Sequence, residues 1–188
     1  MLEIIPNWHP IFVHFTVALF STAVVFYIMA YIFQYLKIGL GSEFEIVARW
    51  CLWVSALVVI GTVFAGLQAY NTVHHDTASH VAMTNHRNWA LPTAGLVLLI
   101  TFWSFWRSYR RRKISIPFII GLLIIQGMLL STAWRGAELV FRYGLGVMSL
   151  PKPEGKEHHH HHDEMIETIP QPSSVQQQDN HPDHQHTD

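Results

Sequence analysis

The sequence predicts an all-α integral membrane protein: a four-helix bundle over residues 1–150 with a disordered, His-rich C-terminal tail over 151–188. Three observations carry that prediction. The chain is 50% hydrophobic and only 13% charged. Its apolar residues gather in four runs, which give expected helices at about 10–35, 46–70, 87–107 and 114–134. From Pro151 onward the composition turns to His, Gln, Pro, Asp and Ser with almost no apolar side chain.

Each run matches the ~20 helical residues that cross a hydrocarbon core of ~30 Å. Fully buried helices of a soluble core are the alternative, but four of them in so short a chain leave no polar shell to cover them. Helix one opens at Pro10, whose missing N–H costs nothing in a first turn, and Trp8 before it suits an interfacial anchor. It is expected to stay as a span and not to be cleaved as a signal peptide. Met1–His9 carries no Lys or Arg, and the run exceeds an h-region of ~7–15 residues.

Gly39-Leu40-Gly41-Ser42 separates the first helix from the second. Gly61, Ala65, Gly66 and Ala69 form a small-residue face on helix two, which permits close helix contact and reads as packing. Asn85 is the expected cap of helix three, placing His86, Arg87 and Trp89 in its first turn. The tail buries too little apolar surface to offset its ordering entropy.

Orientation follows from the basic residues. The link between helices three and four carries Arg107, Arg110, Arg111, Arg112 and Lys113 with no acid among them, which places it in the cytoplasm. Four passes then put both termini and the link between helices two and three on the periplasmic side of a bacterial inner membrane. A net charge of −1 argues against a nucleic-acid partner. The one cysteine, Cys51, excludes an intrachain disulfide.

Histidine is the residue type with chemistry to explain. Imidazole is the commonest side-chain metal ligand, and an ionisable group inside a membrane is costly enough to suggest function. His14 lies about one turn into helix one, His75 and His80 lie in the link, and His86 opens helix three. His14, His86 and His75 are therefore the expected haem-binding residues, with Arg87 and Arg135 at the same face to pair with propionates. His14, His75, His80 and His86 are the corresponding candidates for a core metal site. His9, His74 and His80 read more simply as interfacial residues. In the tail, His158, His159, His160, His161 and His162 are expected to capture divalent transition metals weakly. No Gly-rich phosphate loop, Gly-x-Ser-x-Gly or His-Glu-x-x-His is present. The acids of the helical region all fall near expected helix ends, so an ion-driven carrier lacks its usual mid-membrane carboxylate.

His9-Pro10 with Val13-His14-Phe15, Ala65-Gly66, the His75-Asp76…His80…His86 link, and Gly136…Glu138-Leu-Val-Phe-Arg-Tyr-Gly-Leu-Gly-Val147 resemble a bacterial four-helix membrane family, domain of unknown function 2231. The resemblance covers about residues 5–147. It implies an inner-membrane location, and several members are suspected of binding haem or metal.

The leading expectation is a membrane protein that binds haem b, or a metal, through histidines at the periplasmic face and serves as a redox or electron-transfer component. Copper or zinc handling is the first alternative and a structural or assembly subunit the second. Expected partners are the lipid bilayer and a periplasmic electron carrier or metal protein, and a homo-oligomer is left open.

Overall fold

A computed structural model describes residues 7–73 and 75–147. His74 and the tail histidines lie outside the described residues. Four helices follow one another: α1 (His9–Tyr35), α2 (Gly41–Thr72), α3 (Thr77–Tyr109) and α4 (Ile116–Phe141). All four are long and apolar enough to cross a membrane. Their 26 to 33 residues span about 40–50 Å, more than the ~30 Å hydrocarbon core, so helix ends project beyond it.

Residue distribution is that of a protein in lipid. Leu57, Phe64, Leu99, Phe102 and Ile124 lie exposed on the outside, whereas Thr16, Ser55, Thr93, Ser104 and Thr132 are buried. Helix association in lipid gains little from apolar burial and relies on close packing and interhelical hydrogen bonds. Tyr27 bonds Ser104 at 2.7 Å, Thr16 bonds Thr62 at 2.8 Å, and Thr93 meets Thr132 at 3.2 Å. The outer surface contacts the bilayer.

Helix α1 packs on α2 and α4, and α3 packs on the same two, so α1 and α3 stand on one diagonal. The up-and-down order brings the start of α1, the end of α2, the start of α3 and the end of α4 to one end of the bundle.

Three helix limits differ from expectation. Helix α2 begins at Gly41 where about 46 was expected, and α4 continues past 134 to Phe141. The largest difference is at α3, which starts at Thr77 where about 87 was expected. Asp76 is its cap: the Ser79 N–H donates to Asp76 Oδ1 (2.8 Å), and the Asp76 N–H donates to Ser79 Oγ (3.0 Å). This reciprocal pair satisfies first-turn donors and starts the helix in polar sequence. Asn85 is therefore a mid-helix residue and not the cap.

The other end closes differently. After α1 and after α3, Lys37 (φ 56°) and Arg111 (φ 51°) adopt the left-handed conformation. The Ile38 N–H reaches Phe33 O at 2.8 Å, and the Arg112 N–H reaches Arg107 O at 3.0 Å. The same C-terminal closure thus ends both helices, with a basic residue where glycine is usual.

Candidate functional site

One layer near the α1 N-terminus takes a residue from every helix: His9, Gly66, His86 and Gly136. The His9 and His86 rings approach across the α1–α3 diagonal with centroids 6.3 Å apart and planes at 78°. The two glycines make room for them. A Cβ on Gly66 would lie 2.9 Å from His9 Cε1, and one on Gly136 would lie 3.2 Å from His86 Cε1. Gly66 therefore seats an imidazole, beyond the helix packing expected of the small-residue face.

The two rings differ in their bonding. His9 Nδ1 is 3.0 Å from the Thr62 carbonyl, which can only accept, so Nδ1 carries the proton and Nε2 keeps its lone pair. Its backbone N–H is held by Asn7 Oδ1 at 2.9 Å. His86 Nδ1 is buried and has no hydrogen-bond partner. Such an orphaned polar atom is costly in an apolar interior.

The expected set of histidines separates into three places. His14 is exposed on the outside of α1, with Nδ1 2.5 Å from the Pro10 carbonyl of its own helix. It stands about 140° around the helix from His9, at ~100° per residue, and does not meet His86. The expectation that His14 enters the bundle is corrected. His9, read from sequence as interfacial, takes that place.

His75 and His80 form a second, exposed pair. His75 Nε2 lies 2.8 Å from His80 Nδ1, with centroids 5.0 Å apart and planes within 14°. His75 Nδ1 donates to the Val73 carbonyl at 2.7 Å, and Tyr70 Oη is 3.4 Å from His80 Nε2. Between them, the Asp76 carboxyl is held below its ordinary carboxylate range, chiefly by the Ser79 hydroxyl and then by the Ser79 N–H. A cleft of about 670 Å³ beside the pair is lined by His75, Asp76, Arg142 and Tyr143 among others. The four histidines proposed as one core metal site therefore do not converge. Among the described residues, no three His, Cys, Asp or Glu side chains gather as a metal site.

Arg87 and Arg135 both lie at the histidine-bearing end, each over an aromatic face. The Arg87 guanidinium is 4.6 Å from the Tyr70 centroid, and that of Arg135 is 4.2 Å from the Trp89 centroid. Arg135 also donates to Ser131 Oγ and to the Ser131 carbonyl.

The opposite end holds a feature that sequence reasoning missed. Arg107, counted there as a link residue, is in the last turn of α3 and only 3% exposed, paired with Glu45 at 3.0 Å. Gln34 donates to the other Glu45 oxygen at 2.7 Å, and the guanidinium packs over Phe118 at 4.7 Å. Arg110, Arg111, Arg112 and Lys113 remain as the exposed basic link.

Fold and composition define a multi-pass membrane protein built as a four-helix bundle, with a half-buried imidazole pair at one end. The chain belongs to the DUF2231 family: the family model described as a predicted membrane protein (DUF2231) matches residues 6–149. No curated protein and no solved structure matches the chain.

Proposed function

We propose that the chain binds one b-type haem between His9 and His86 and acts as a redox component at the periplasmic face of a bacterial inner membrane. The observation that carries this reading is the half-buried pair itself, two imidazoles on diagonal helices with a glycine on each intervening helix. Imidazoles on opposite sides of one metal, with metal–nitrogen bonds of ~2 Å, have centroids ~6 Å apart. The observed separation is 6.3 Å.

The residues fit such a group in three further respects. The Thr62 carbonyl fixes the His9 tautomer and leaves Nε2 free, the arrangement usual for a liganding histidine. His86 Nδ1 lacks a partner inside the protein. Gly66 and Gly136 let the two rings sit between the helices, in space that a Cβ would invade. A bound haem would supply a one-electron Fe(III)/Fe(II) couple.

The chain's own part is to hold the two rings, exclude water and place cations nearby. Arg87 and Arg135 lie at that end and are suited to carboxylates of the group, whereas Arg142 is paired with Glu138. The five described histidines lie in the half of the sequence layout that meets this end, while Arg107, Glu45 and Gln34 occupy the other. A single relay at one face, exchanging electrons with a periplasmic carrier, suits this better than a path across the bilayer. The orientation rests on the basic link at 110–113.

The test is the absorption spectrum of protein purified from membranes with ample haem supply. A Soret band with low-spin features supports bis-imidazole ligation. A colourless protein that takes up no added haemin would sink it.

A further inference from the structure

We propose that His75 and His80 form a divalent copper site on the surface of the bundle, separate from the His9–His86 pair. His75 already has the tautomer that a ligand needs. His75 Nδ1–H is committed to the Val73 carbonyl at 2.7 Å, so Nε2 presents its lone pair. His80 Nδ1–H donates to that nitrogen in the metal-free pair, and Tyr70 Oη, 3.4 Å from His80 Nε2, can take the ring's proton when Nδ1 turns to a metal. Tyr70 is in turn held by Thr84 at 2.9 Å.

His75 Nε2 and His80 Nδ1 lie 2.8 Å apart, close enough for one ion to take both. Among the divalent ions that imidazole suits, the Irving–Williams order favours Cu²⁺.

The backbone holds the two rings as neighbours. His75 and His80 straddle the α3 cap, and the reciprocal Asp76–Ser79 bonds hold the turn between them. The rings are hydrogen-bonded along the N···N line, their planes within 14°. Both are exposed, so each can turn about its Cβ–Cγ bond to aim at an ion in place of that bond. Water from the adjoining cleft would complete the coordination.

The test uses the full-length chain in detergent with the eight tail histidines (158–162, 181, 184 and 186) changed to Gln. Titration with Cu²⁺ should then give one ion per chain, with an electron paramagnetic resonance signal split by imidazole nitrogens. His75→Gln and His80→Gln should each weaken binding at least about tenfold, while His14→Gln and His86→Gln leave it unchanged. Any Soret band should be unaffected by either loss, which separates this site from the haem reading. Copper held equally well by both variants, copper lost only with His74→Gln, or no copper bound in the tail-substituted chain would overturn the assignment.

Discussion

His9 and His86 face each other across the bundle diagonal at 6.3 Å, each seated on a glycine of an intervening helix. Neither the first residue of α1 nor a residue ten positions into α3 is an obvious partner for the other. They meet because α3 starts early, at Thr77, and carries His86 down to the level where α1 begins.

The first prediction ranks the histidines. On the haem reading, His9→Ala and His86→Ala should each abolish haem binding or convert the spectrum from low-spin to high-spin, because one of the two imidazoles that would hold the group is lost. His14→Ala should leave the spectrum unchanged, since its ring lies outside the bundle and bonds its own helix. Optical spectra of the three variants decide this. A dominant effect at His14 would contradict the site.

Much of this was legible in the sequence. The four spans follow from apolar runs, because hydrocarbon tolerates little else. The site was less so, since apolar periodicity fades where a helix meets water and the apolar run of α3 stops short of its polar first turns. The interior stripes carried the missing signal. On α1 the buried positions Thr16, Phe20, Ala23, Tyr27 and Ala30 repeat at three- and four-residue intervals, and one heptad back from Thr16 is His9, not His14. The same steps on α3 run from Ser104, Ile100, Val97 and Thr93 to His86. On α4, Phe118, Leu122, Ile125, Leu129 and Thr132 lead to Gly136. Burial of Arg107 was hidden because its partner, Glu45, lies 62 residues away in the sequence.

The second prediction concerns the glycine seats. Gly66→Ala would place a methyl group 2.9 Å from His9 Cε1, and the ring cannot retreat without losing the Thr62 carbonyl. We expect a cost of about 1–3 kcal/mol, typical of overpacking, together with weakened haem retention. Gly136→Ala, at 3.2 Å, should act in the same direction but less. Gly127→Ala, with nothing within 4 Å, should be neutral or slightly stabilising. Thermal unfolding in detergent, followed alongside the Soret band, separates the three.

The third prediction concerns the Arg107–Glu45 pair. Removing one partner strands a charge in a poorly solvated site. Arg107→Met or Glu45→Met should therefore each destabilise the fold by about 3 kcal/mol, the low end for breaking a buried pair because Glu45 is partly exposed. The double variant should be more stable than either single variant, since no unpaired charge remains. A double-mutant cycle on denaturation free energies checks this, and simple additivity would show that the pair is not coupled.

The fourth prediction tests orientation with positions chosen from the structure. Thr77 and Lys113 are both exposed and lie at opposite ends of the bundle. Ser108 is less suitable, because its hydroxyl accepts from Arg49 at 2.7 Å. In a Cys51→Ala background, a cysteine at Thr77 should be labelled in intact cells by a membrane-impermeant thiol reagent, once the outer membrane is permeabilised where one is present. A cysteine at Lys113 should react only after the inner membrane is opened, because a basic link such as 110–113 favours retention in the cytoplasm. Pairing of Arg107 with Glu45 removes one charge from that bias but leaves four basic residues in the link, still without an acid among them. The reverse labelling pattern would place both histidine pairs on the cytoplasmic side. It would leave the ring geometry intact but replace a periplasmic redox partner with a cytoplasmic one.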